Sequence, residues 1–141
     1  MKALDTNILV RFLVNDDKKM GAAARRLLES AHDQGDHFLV TAPVLLELLW
    51  VLKSVYGLPR ADVLEALEAL ARMPVLKADP PGLVLDLARG ARSTRLDLAD
   101  LLIGLCAREK GCQATWTLDA KAAGSNLFQL LPLSKLGKME E

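Results

Sequence analysis

Cysteine is almost missing from this chain. Cys106 and Cys112 are the two present in 141 residues, so no disulfide framework holds the fold together. The lack of a second thiol pair also leaves a thiolate zinc site little support. Histidine is as scarce: His32 and His37 flank a polar His-Asp-Gln-Gly-Asp-His stretch, where surface exposure accounts for them better than ligation. An excess of one charge is lacking too, because 18 basic and 18 acidic residues cancel. General electrostatics therefore gives the chain no grip on nucleic acid, and a polyanion would have to be held locally. No apolar run is long enough to span a bilayer, and the N-terminal one is broken by Asp5. Neither a signal peptide nor a membrane helix is expected, and a cytoplasmic location is. Internal repeats and low-complexity segments are absent as well.

What is present is core material. A hydrophobic fraction of 51% in a chain of one-domain length supports a single buried core. Residues 1–133 read as one domain and 134–141 as a polar tail. Short β-compatible runs at 2–4, 37–41, 75–77, 113–117 and 127–131 alternate with helical periodicities. Ile8, Leu9, Phe12 and Leu13 mark a first helix. Met20, Ala23, Ala24, Leu27, Leu28 and Ala31 mark a second, ending near Gly35. Pro43 opens an apolar helix over 44–55, and helices follow over 60–73, from Pro80 to Arg92, from 97 or 98 to 110, and over 119–123. Such alternation implies an α/β fold, with helices on both faces of a mostly parallel sheet of four or five short strands.

In such sheets the functional crevice lies beyond the carboxyl ends of the strands. Asp5 and Asp119 each follow a predicted strand and should face it. Glu47 lies near the start of one helix, and Asp97 and Asp100 lie a turn apart on another. Each has an ordinary structural alternative. Asp5, Asp97 and Asp119 sit at plausible N-cap positions, and Asp100 could complete a capping-box-like pair with Asp97. Glu47 stands in a Pro-Val-Leu-Leu-Glu-Leu-Leu-Trp-Val-Leu run so apolar that burial is expected, which calls for a partner arginine or a metal. Asp97 and Asp100 repel one another across one turn unless a cation intervenes. Convergent carboxylates without His or Cys suit Mg²⁺ or Mn²⁺ and disfavour zinc. Gly104 follows on the same helix and permits a close approach there, or simply helix packing.

These residues resemble a known family. Leu-Asp-Thr-Asn at 4–7, Glu47 in its apolar helix, Asp-Leu-Ala-Asp-Leu-Leu-Ile at 97–103 and Thr-Leu-Asp-Ala-Lys-Ala-Ala at 117–123 look like a PIN domain, and in order and spacing most resemble VapC-type toxins. The resemblance implies a three-layer α/β/α sandwich and a Mg²⁺- or Mn²⁺-dependent endoribonuclease. It also implies a homodimer held inactive by a VapB-type antitoxin. Carried onto this chain, Asp5, Glu47, Asp100 and Asp119 match the acidic quartet and Asp97 an accessory acid. Asn7 and Thr117 match the supporting polar residues. Leu118 stands where an aromatic residue is common, and Trp116 is bulky for its place, so the surroundings of Asp119 depart from the pattern.

On this reading one or two ions hold the substrate, with Asp5 as bridging ligand and Asp100 or Asp119 orienting the attacking water. Arg11, Lys121 and the set Arg89, Arg92 and Arg95 are candidates to extend a phosphate track, set against the plain alternative of solvated helix faces. Single-stranded or loop RNA, from tRNA or mRNA, is the expected substrate. Leu45, Leu49, Trp50, Leu52 and Tyr56 are candidates for a dimer or antitoxin surface, set against ordinary core. Two rival functions remain open. One is a haloacid-dehalogenase-type phosphatase, although Asn7 stands where its second aspartate belongs. The other is a catalytically silent PIN-like binding module.

Overall fold

Phe38 and Val40 are buried while the alternate residues Leu39 and Thr41 are half-buried, so the strand they form is covered on both faces, as a central parallel strand must be. In the computed structural model, which describes residues 1–135, that strand is β2 (Phe38–Thr41). Around it run β1 (Lys2–Ala3), α1 (Thr6–Leu13), α2 (Lys18–Gln34), α3 (Ala42–Trp50), α4 (Arg60–Ala71), β3 (Leu76–Asp79), α5 (Leu83–Ser93), α6 (Leu98–Glu109), β4 (Thr115–Thr117) and β5 (Phe128–Leu130). Residues 136–141 of the expected polar tail lie outside the described residues, and Leu133–Lys135 form one 3₁₀ turn. No helix among the described residues is long and apolar enough to cross a membrane.

All strand pairs are parallel, and the class is the expected α/β. The sheet is small and divides into two ladders, β1-β2-β3 and β4-β5, where one continuous sheet was expected. Lys2 pairs with Phe38, and Phe38 with Leu76, while Thr115 pairs with Phe128. The two residues of β1 spend their ladder on β2, prolonged only by Leu4 N–H donating to the Leu39 carbonyl at 3.0 Å. The expected helix over 119–123 is reduced to a 3₁₀ turn, Ala122–Gly124.

The core is built mainly from leucine. Leu9, Leu45, Leu48, Leu52, Leu67, Leu83 and Leu87 are essentially sealed from solvent. On α3, Leu45, Leu48, Leu49 and Leu52 recur at i, i+3, i+4 and i+7 and face inward. Three members of the candidate docking set, Leu45, Leu49 and Leu52, are therefore core, whereas Trp50 stays 61% exposed. Tyr56 is half-buried and donates its hydroxyl proton to Asp16 at 2.8 Å. The helix continues past Trp50 with π winding over Val51–Val55, closed by Tyr56 N–H donating to the Val51 carbonyl at 3.1 Å.

Gly104 lets α6 lie directly on β5. A methyl group there would meet Phe128 at 2.9 Å and Leu127 at 3.0 Å. Of its two expected roles the close packing is the one realised, and it brings the β4-β5 unit, with Asp119 beyond β4, up against α6.

Candidate active site

An open cleft of about 1620 Å³ runs between α3, α6 and the turn after β4, and Glu47, Asp97, Asp100 and Asp119 all line it. One wall is the outer face of α3 and its π extension, where Pro43, Leu46, Glu47, Trp50, Lys53 and Ser54 follow one another at helical spacing. Glu47 is exposed on that face. The expectation of a buried carboxylate is thus corrected: the helix buries its leucine stripe and leaves Leu46, Glu47 and Trp50 to the cleft. The run was apolar enough for two faces, and only one of them is core.

The opposite wall is the start of α6. Asp97 occupies the N-cap position, yet its carboxylate caps no backbone N–H and lies 3.9 Å from Lys53 Nζ. Asp100 sits half-buried one turn on. Burial first, then the negative charges of Asp97 and Asp119, raise its carboxyl above the ordinary aspartate range. Asp97 and Asp119 thus each lie within electrostatic reach of Asp100. Asp119 hangs from a tight turn in which Thr117 Oγ1 accepts the Asp119 N–H at 3.0 Å and Asp119 Oδ1 accepts the Lys121 N–H at 2.9 Å. Thr117 therefore supports Asp119, the place the resemblance gives it.

Asp5 and Asn7 are not brought into this group. Both are exposed at the start of α1 and neither lines the cleft, and Asp5 Oδ1 accepts the Thr6 N–H at 2.7 Å in the capping role weighed for it. Among the described residues no three His, Cys, Asp or Glu side chains are close enough to share one metal ion. The four cleft carboxylates share a cavity but not yet a coordination sphere, an arrangement that mutual repulsion favours. Their donor chemistry, all carboxylate oxygen, fits a hard divalent cation. The charge crowding that adds to burial in raising Asp100 is what such a cation would relieve.

One residue that reading the chain missed holds the acidic wall in place. Arg60, at the start of α4, donates from Nη1 to the Leu96 carbonyl at 2.8 Å and from Nη2 to the Ala91 and Thr94 carbonyls at 3.1 and 2.9 Å. The guanidinium thereby ties down the α5–α6 connection just before Asp97. The available signal was a cation in the first turn of a helix, where the dipole disfavours it unless something compensates. Of the basic residues expected to track phosphate, Arg11 pairs with Asp16 at 2.9 Å and Arg92 pairs with Glu68. Arg95 and Lys121 line the cleft, while Arg89 lines a neighbouring pocket.

Comparison with known proteins gives the family. The PIN domain family matches residues 2–123, and the chain belongs to that family. It is also similar to a VapC ribonuclease of Aquifex aeolicus (strain VF5), at 30% identity over 70 residues. That aligned stretch takes in 50% of this chain and 51% of the relative, so the chain spans about half the length of the curated relative it matches. No solved structure matches it.

Proposed function

We propose that the protein is a Mg²⁺- or Mn²⁺-dependent endoribonuclease whose cleft gathers Glu47, Asp100 and Asp119 around metal, with Asp97 as accessory acid. Asp5, at the end of β1, is proposed to join them. The observation that carries this reading is that acidic residues from α3, α6 and the post-β4 turn line one cleft, where burial first and then Asp97 and Asp119 raise the Asp100 carboxyl. Family membership and the VapC relative support it. A bound divalent ion would supply Lewis-acid charge to the phosphate and make water a better nucleophile at neutral pH.

The chain's own residues do the rest. Asp100, with its raised carboxyl, is suited to orient the attacking water and hold its proton. Water adding to phosphorus in line breaks the bond to the 3′ oxygen, leaving a 5′-phosphate and a 3′-hydroxyl. Thr117 fixes the turn that presents Asp119, and Arg60 fixes the connection that presents Asp97 and Asp100. The toxin role, a VapB-type antitoxin and a homodimer are what the resemblance implies, and a cytoplasmic location is proposed with them. Exposed Leu46 and Trp50 on the cleft rim offer an antitoxin segment apolar purchase.

Purified protein should cut single-stranded tRNA or mRNA fragments with Mg²⁺ or Mn²⁺ and stop when EDTA is added. Hydrolysis of a small phosphate ester with RNA left intact would instead favour the phosphatase reading. RNA left whole under all metal conditions would favour the silent binding module.

A further inference from the structure

Beside the acidic cleft lies a second, smaller pocket of about 510 Å³ between α5, α6 and the turn after β4. Its chemistry is the reverse of the cleft's. Arg89 and Arg108 line it, Asp86 is its one acidic residue, and neither arginine is in an ion pair among the described residues. Of its three hydroxyls, Ser93 spends its proton on the Gly90 carbonyl at 3.0 Å, and two keep theirs. Thr94 Oγ1 accepts the Leu96 N–H and Ser125 Oγ accepts the Leu127 N–H, which leaves each O–H free to donate. Guanidinium groups and hydroxyl donors in one depression are the set that recognises a phosphate.

The two depressions adjoin, since Thr94 and Gly124 line both. Gly124 leaves the space between them open: a methyl group built there meets nothing within 4 Å. We infer that the Arg89–Arg108 pocket is a subsite for backbone phosphates of the RNA flanking the one being cut, reached across Gly124. The inference rests on the nuclease reading above and adds the path of the strand. It also answers the electrostatic difficulty of a chain with zero net charge. Binding and chemistry are divided between two neighbouring sites of opposite sign, so the carboxylates need not attract the polymer themselves.

The test is binding of a fluorescein-labelled single-stranded oligoribonucleotide to the full chain by anisotropy across a salt series, without added divalent ion. Arg89→Ala/Arg108→Ala should weaken binding roughly tenfold and flatten the salt slope by about 0.7 for each phosphate no longer neutralised. Gly124→Trp should weaken binding and leave the salt slope as it is, because it blocks the passage and removes no charge. Both substitutions fall on exposed positions, and an unchanged circular dichroism spectrum would establish that the variants fold. Wild-type affinity and slope retained in the double-arginine variant, while the wild-type protein still cuts RNA with Mg²⁺, would overturn this subsite and leave the nuclease reading standing. An arginine-dependent slope in a protein that never cuts RNA would uphold the subsite and remove the nuclease reading.

Discussion

The two walls of the cleft carry the same kind of side chain and treat it differently. On α3, Glu47 is exposed among Leu46 and Trp50, on a helix whose inner stripe supplies much of the core. On α6, Asp100 is half-buried, crowded by Asp97 and Asp119, and follows a connection that Arg60 pins with three hydrogen bonds. One wall is anchored by apolar burial and leaves its acid free to move. The other also buries leucines, Leu98, Leu101, Leu102 and Leu105, and adds the Arg60 tie to the backbone just before its acids. Precision at the reacting phosphate should therefore come from the α6 side, and reach and adaptability from the α3 side.

Removing the acid from each wall breaks this comparison most sharply. Asp100→Asn should lower RNA cleavage by about 10²–10⁴-fold, the range for losing a group that handles a proton in the reaction. Glu47→Gln should cost less, about 10–100-fold, through weaker metal affinity that added Mg²⁺ partly restores. Steady-state cleavage at increasing Mg²⁺ separates the two. Equal losses, both cured by metal, would erase the distinction between the walls.

Arg60→Ala comes next. Losing charged hydrogen bonds to three carbonyls should destabilise the fold by about 2–3 kcal/mol, read as a lower urea midpoint. Cleavage by the still-folded fraction should fall with kcat rather than KM, since Arg60 acts through Asp97 and Asp100. Arg60→Lys, which reaches fewer carbonyls, should lie between. A stability loss with kcat intact would reduce Arg60 to a purely structural tie.

The smallest effect concerns the far end of the α3 wall, where Asp16 accepts protons from Tyr56 and Arg11. The Tyr56 hydrogen bond, more than the Arg11 bond and charge, holds the Asp16 carboxyl below its ordinary range, and Asp16 in turn holds the Tyr56 hydroxyl above its own. The sign follows for each. The Asp16 contribution is complete above the unfolded aspartate value and is lost as pH falls through the lowered folded one. The Tyr56 contribution is complete below its unfolded value and is lost as pH rises through the raised one. Urea midpoints of wild type and Tyr56→Phe should differ slightly at neutral pH and converge at both extremes. Because Asp16 is exposed, a large difference at any pH would contradict the surface character of the pair.

How much of this could be read from the chain depends on the range of the interaction. The strand–helix alternation and the inner stripe of α3 are local periodicities, and they were legible; the two-residue β1 is too short for any pattern to tell how far its ladder extends. The acids of the cleft were legible from a strand end, an apolar helix and one-turn spacing, and their order resembles a family. Burial of Glu47 was misjudged for a physical reason: apolar density does not tell a core face from the apolar rim of a binding cleft, and Leu46 at 41% exposure and Trp50 belong to the rim. Arg60 was invisible because its carbonyl partners lie 31 to 36 residues away, joined by no sequence pattern. The ion pairs of Arg11 and Arg92, which withdraw them from any phosphate track, are long-range or conformational facts of the same sort.

The central claim is that carboxylates from separate elements meet to hold a divalent cation. Titrating Mn²⁺ into metal-free protein while following the paramagnetic resonance of the free ion tests it without recourse to RNA. The account predicts that wild-type protein removes the free-ion signal until a site fills. Asp100→Asn and Asp119→Asn should each weaken that uptake by about 10–100-fold. A wild-type curve indistinguishable from buffer, or one unchanged by either substitution, would contradict it.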